Sequence, residues 1–191
     1  MTAPSSSSSS PPPAGFLEVT IVYLEMWARP EARPRPAPRP DVTVVRAVRP
    51  TVSFYRYLYD HVGGPWLWYE RRLMSDERLR RIVQDPAVQV HVLQVAGVPA
   101  GYAELDCRAA GEVELAYFGL LPEFIGQGLG AYFLAWAIDR AWDQGPRRLW
   151  VHTCSLDHRR ALECYYAAGF AEYAREDVRI PDPRPLVAPR G

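Results

Sequence analysis

The chain is expected to fold as one α/β domain, a central mixed and mostly antiparallel sheet flanked by helices. Three observations point there. Runs of β-branched and aromatic residues recur along the chain with strand-like alternation, as in "VQVHVLQVAG". Segments with apolar residues at helical spacing lie between them, several opened by Thr or Ser and closed by Gly or Pro. The order is strand, two helices, a strand meander, helix, strand, helix, strand, which mixes antiparallel neighbours with crossovers. The 191 residues suffice for one sizeable core, and 48% are hydrophobic, as in globular chains.

Each element has its own signal. Residues 1–15, a Ser run followed by a Pro run, bury too little apolar surface to offset ordering entropy, and are expected to be a disordered tail. "FLEVTIVYLEMW", Phe16 to Trp27, reads as a strand that either extends the sheet or pairs with another subunit of a homodimer. Arg29 to Pro40, with Pro at nearly every second position, reads as extended linker, so 16–41 form an extra strand plus linker ahead of a domain at 42–180. "VTVVRAV" is the second strand. "TVSFYRYLYDHVG" is a helix with Thr51 or Ser53 as N-cap and Gly63 and Gly64 as its stop. Ser75 caps the next helix, whose first-turn acids suit the helix dipole, and Pro86 closes it.

"VQVHVLQVAG" and "AGYAELDCRA" form a hairpin about a turn in "GVPAG", and "GEVELAYFGLL" continues the meander to Pro122. A helix from about Gly128 to Gln144 places Leu129, Phe133, Trp136, Ala137 and Ala141 on one side, and Gly145-Pro146 ends it. "RRLWVHTCS" is a strand, "LDHRRALECYYAAG" a helix stopped by Gly169, and "FAEYAREDVRI" the last strand. A Pro-rich tail occupies 181–191.

Composition narrows the function. Lys+Arg and Asp+Glu number 22 each, so the chain lacks the basic excess of a nucleic-acid binder. The cysteines Cys107, Cys154 and Cys164 form neither a disulfide framework nor a CxxC zinc pattern, so no metal is expected. No apolar run approaches the ~18 residues that span a bilayer, and the N-terminus lacks the apolar core of a secretory signal. A cytoplasmic protein without a membrane partner is expected.

The chemistry concentrates in "LLPEFIGQGLGAYFL", Leu120 to Leu134. Gly126, Gly128 and Gly130 precede a helix, and alternating glycines there let backbone approach a phosphate. "GQGLGA" formally fits the dinucleotide fingerprint G-x-G-x-x-[GA]. That fingerprint needs its glycines directly after a parallel strand, whereas Pro122 to Ile125 intervene here. A Walker loop is excluded, since no Gly-Lys-Ser/Thr occurs. Two readings stay open on the glycines alone: a pyrophosphate cradle, or a turn that lets helix and strand pack.

"GLLPEFIGQGLGAYFLAWAIDRA" and, further on, "RRALECYYAAGF" together resemble the GNAT superfamily of N-acetyltransferases. The first is similar to its acyl-coenzyme A signature, the second to its helix ending in Tyr-x-x-x-Gly-Phe, and the element order matches from about Val42 to Ile180. The resemblance implies a GNAT-like fold with a coenzyme A slot between two splayed strands. It also implies transfer of an acetyl group from acetyl-CoA to an amine acceptor. The pyrophosphate would meet the amides of Gly126, Gln127, Gly128, Leu129, Gly130 and Ala131. Ile125 stands where the family has Arg or Gln, so binding there rests on backbone. His158 stands where many members have Asn.

Further roles follow from the same resemblance. Glu114 takes the position of the catalytic base, and it shares a strand face with Glu112. Alternatively both acids lie on a solvated face. Tyr166 takes the place of the acid beside the thioester sulfur, or it only packs the pantetheine arm, while Tyr165 points to the core. Phe118, Gly119 and Leu120 hold the slot strand, where Gly119 fits a bulge and the Phe118 amide is the expected oxyanion donor. Trp66, Trp68 and Tyr69, in "GGPWLWYERR", either wall an acceptor pocket or belong to the core, and Glu70 suits a cationic amine. Arg147, Arg148, Arg159 and Arg160 either contact the 3′-phosphate or are solvated. His152 and Cys154 share a strand face, which is read as an ordinary half-buried strand rather than a nucleophilic pair.

Overall fold

The structure, a computed structural model, describes residues 15–31 and 36–187. Apart from Gly15, the expected N-terminal tail lies outside the described residues, as do 188–191. Strands β1 (Phe16–Met26), β2 (Val42–Ala47), β3 (Val88–Val95), β4 (Val98–Asp106), β5 (Glu112–Leu120), β6 (Arg148–Cys154) and β7 (Ala171–Pro181) form one open sheet in the order β2-β3-β4-β5-β6-β1-β7. All neighbours are antiparallel except β5 and β6. Helices α1 (Val52–Gly63) and α2 (Asp76–Val83) cover one face, and α3 (Leu129–Trp142) and α4 (Ala161–Ala167) the other. A short α5 (Arg184–Val187) follows the last strand, inside the stretch expected to be tail.

The alternation of each strand divides the core. Val22, Leu24, Val113, Leu115, Leu149 and Val151 face α3, where they meet Leu129, Phe133 and Ala137. Val90, Val92 and Tyr102 face α1 and α2, where they meet Tyr55, Leu58, Val62 and Leu79. Each large side chain among these contributes about 1.5–3 kcal/mol by leaving water. Thr51 and Ser75 cap α1 and α2 by accepting the Phe54 and Arg78 amides at 3.3 Å. No helix among the described residues is long and apolar enough to cross a membrane.

Four local expectations are corrected. First, β1 does not join another subunit through its backbone, because it lies between β6 and β7 with both edges hydrogen-bonded. Second, the β3–β4 turn is Ala96-Gly97, both at positive φ (50° and 81°), so Val98 to Gly101 already belong to β4. A two-residue turn of this hand matches strand twist, which a longer loop would not need to do. Third, the bulge in β5 falls at Ala116, where the register with β4 shifts, and not at Gly119. Gly119 is small for another reason: a Cβ there would meet Val62 Cγ1 of α1 at 2.5 Å. Fourth, α4 begins at Ala161 rather than near Leu156. Asp157 ties the preceding residues into a turn, accepting from Thr153 Oγ1 at 2.8 Å and from the Cys154 amide at 2.9 Å. Short Asp side chains compete with helix in this way.

Candidate active site

β5 and β6 are the one parallel pair, and they stay paired only from Glu112 and Arg148 to Glu114 and Trp150. Beyond that point β5 runs on to Leu120 and β6 to Cys154 without pairing, so the sheet opens into a gap. The rim of the gap on β5 is the expected slot strand. Phe118 and Leu120 turn toward the α3 side, with the Phe118 ring 5.3 Å from that of Phe133.

The glycine loop closes this end of the gap. Pro122–Phe124 make one 3-10 turn, and α3 starts at Leu129 with no side-chain cap. Gly126 and Gly128 sit at φ 83° and 77°, which L side chains avoid, and a Cβ at either would touch nothing. These glycines serve backbone conformation, not packing room. None of the amides of Gly126, Gln127, Gly128, Leu129, Gly130 and Ala131 donates to an acceptor among the described residues. A row of unsatisfied N–H groups at a positive helix end can cradle an anion such as a pyrophosphate. The Gln127 side chain braces the loop instead, donating to the Glu123 carbonyl at 2.8 Å and accepting from Arg39 at 3.4 Å. Arg39 belongs to the Pro-rich linker, and its reach to the loop was not legible in the sequence.

On the opposite sheet face, Asp106, Glu114 and Trp150 form a row across β4, β5 and β6. They line an open cleft of about 380 Å³ together with Arg108 and Ala109. Two carboxylates directly opposite each other repel. Each has a partner, the Arg108 guanidinium for Asp106 and the His152 imidazole for Glu114, with His152 Nδ1 3.4 Å from Glu114 Oε1. Burial alone would raise the Asp106 pKa, but the Arg108 hydrogen bonds hold it below the ordinary value. The Glu114 contact raises the His152 pKa against the lowering effect of burial. Glu112 pairs with Arg148 at 3.3 Å, and Arg148 also pairs with Glu25 at 2.7 Å.

The aromatic segment divides. Trp68 packs against Tyr59, Tyr102 and Tyr117 beside the α1 core, and its Nε1 donates to Asp157 at 3.0 Å. Trp66 meets the His158 ring edge-on at 5.0 Å. Burial raises the Tyr69 pKa, and the Glu70 charge adds to this. Tyr165 is buried against Phe170. Tyr166 is exposed, and its hydroxyl donates to Glu172 at 2.6 Å, a bond that raises its pKa. Arg175 and this hydroxyl bring Glu172 down to about 2. Burial pushes the Cys154 thiol up to about 11, so it is not a ready thiolate. Among the described residues no group of three His, Cys, Asp or Glu side chains fits a metal ion.

The profile of the Acetyltransferase (GNAT) family matches residues 53–170. Solved structures with similar folds include a GCN5-related N-acetyltransferase from Sphaerobacter thermophilus, at TM-score 0.64 and 17% identity over 87% of this chain and 53% of that one. Another, from Kribbella flavida, gives 0.57 and 21% over 88% and 60%. The ribosomal-protein-S18-alanine N-acetyltransferase of Escherichia coli gives 0.55 and 19% over 70% and 79%. The chain thus spans little more than half the length of the first two. No curated protein matches by sequence.

Proposed function

The chain belongs to the GNAT acetyltransferase family, and from that premise we propose that it is a cytoplasmic N-acetyltransferase. It moves an acetyl group from acetyl-CoA to a primary amine by direct attack in a ternary complex. The observation that carries this reading is the row of unpartnered amides from Gly126 to Ala131, set where β5 and β6 part. These amides and the α3 N-terminus fit a pyrophosphate, and the gap fits a thin arm running in toward Glu114.

Aminolysis of a thioester needs a neutral amine, a stabilised oxyanion and a leaving thiolate. The amine loses its proton at the Glu114 side of the cleft. The Phe118 amide, on the stretch of β5 that β6 leaves unpaired, receives the oxyanion, and removing such a donor typically costs 10²–10³-fold in rate, roughly 3–4 kcal/mol. Tyr166 protonates the departing sulfur once its hydroxyl leaves Glu172. Holding both substrates together can lower the barrier by roughly 7–11 kcal/mol. The acceptor is a cationic amine that meets Asp106 and Trp150 in the cleft, and Trp66, Trp68 and Tyr69 are the further aromatic candidates for holding it.

The hydrogen bond from Tyr166 to Glu172 favours one second reading, a coenzyme A-binding module without turnover. Calorimetry with coenzyme A and thiol release from acetyl-CoA with a panel of amines separate the two. Saturable binding with amine-dependent thiol release is expected. Binding without release supports the second reading, and no binding removes both.

A further inference from the structure

Glu114 does not meet the cleft alone. His152 stands two residues beyond the last β5–β6 pair, at the point where the gap opens, with Nδ1 on the Glu114 carboxylate. The side chain is 43% exposed. Its Nε2 has no partner among the described residues, and the Trp150 and Tyr23 rings flank it at 6.3 and 6.0 Å. We propose that His152 takes the proton from the attacking ammonium, and that Glu114 is the positioning residue that fixes the imidazole.

This rests on the acetyl-transfer reading and reassigns the base within it. A carboxylate on Nδ1 sets the tautomer in which Nδ1 carries the proton and Nε2 offers the lone pair. An ordinary imidazole, at pKa about 6.5 against about 4.3 for Glu, is the stronger base toward an ammonium by about two orders of magnitude. The charges facing the ring reinforce this: Glu114 from β5, Asp157 from the turn after β6 and Glu70 from the loop after α1 are all acidic. Tyr23 on β1 is neutral, and Arg148 on β6 is matched by Glu25 and Glu112. The ammonium gives one proton to Nε2, and the free amine bonds to the thioester carbon. The C–S bond breaks, Tyr166 gives its hydroxyl proton to the departing sulfur, and the second N–H proton restores that hydroxyl. The imidazolium then releases the first proton to water.

The test compares wild type, His152→Gln, His152→Ala and Glu114→Gln. Acetyl-CoA is used with spermidine, phenethylamine, kanamycin or an alanine-terminated peptide, and thiol release is followed from pH about 5.5 to about 9. Because the base must be neutral, wild-type kcat/KM should rise with pH through an apparent pKa above the ordinary imidazole value. Glu114→Gln should keep that limb but move it down. His152→Gln should lose the limb and at least ~100-fold in kcat/KM, with coenzyme A affinity unchanged by calorimetry. Free imidazole should restore part of the His152→Ala rate. An intact limb in His152→Gln, or its loss in Glu114→Gln alone, overturns the assignment and leaves acetyl transfer standing. Wild type that releases no thiol with any of the amines overturns the transfer reading and this proposal with it.

Discussion

Tyr166 shows how far a single residue's role depends on its partners. The sequence places it before Gly169 in the family's second motif, and the structure gives its hydroxyl to Glu172 at 2.6 Å. The bond raises its pKa, so it donates a proton less readily until it turns away. Tyr166→Phe should lower kcat for acetyl transfer by roughly 10²-fold, in the range of general acid catalysis, while the KM for acetyl-CoA changes little. An unchanged kcat would restrict Tyr166 to packing. Glu114 was legible from its strand position, but His152 was not, since its contact with Glu114 depends on how two strands 30-odd residues apart line up in parallel. Gly119 was singled out for the wrong reason. It is glycine because α1 presses on it through Val62, so Gly119→Ala should destabilise the fold by about 1–3 kcal/mol in urea titration, as overpacking does. A stability within about 0.5 kcal/mol of wild type would show that α1 can yield there.

At the scale of elements, α3 and its entry loop form one unit. The helix buries Leu129, Phe133, Ala137 and Ala141 against the sheet, which holds its N-terminus beside the gap. Gly128, at φ 77°, sets the direction in which the loop amides point. Gly128→Ala imposes a left-handed conformation on a residue with a Cβ, at a cost of about 1–2 kcal/mol. If the loop refolds to avoid that cost, coenzyme A affinity should fall by roughly an order of magnitude in calorimetry, while α3 keeps its packing. Unaltered affinity would separate these amides from the cofactor. The helical period and the glycines were readable from spacing alone. The length of α4 was not, because Asp157 hydrogen-bonds Thr153, Cys154 and Trp68 and so holds its residues as a turn.

For the whole molecule, the decisive feature is β1. The first strand among the described residues lies between β6 and β7, antiparallel to both, and Arg29 just beyond it reaches Asp139 and Asp143 at the C-terminal end of α3. Removal of residues 1–27 would open the β6–β7 junction and strip Val22, Leu24 and Met26 from the core. Losing three large buried side chains, each about 2–5 kcal/mol with its cavity, exceeds the stability of most domains. The truncated chain should show no cooperative thermal transition by circular dichroism. A cooperative melt near that of the full chain would mean that β7 can close onto β6.

The sequence by itself determined the order of the main strands and helices, the mixed sheet, the glycine loop ahead of α3 and the family motifs, because these rest on residue spacing and backbone preference within short windows. Tertiary structure alone decided where β1 inserts, where β5 bulges, which way β5 and β6 part, and that His152 lies on Glu114. These depend on pairings between distant segments, and alternation along one strand fixes its faces but not its neighbour or register.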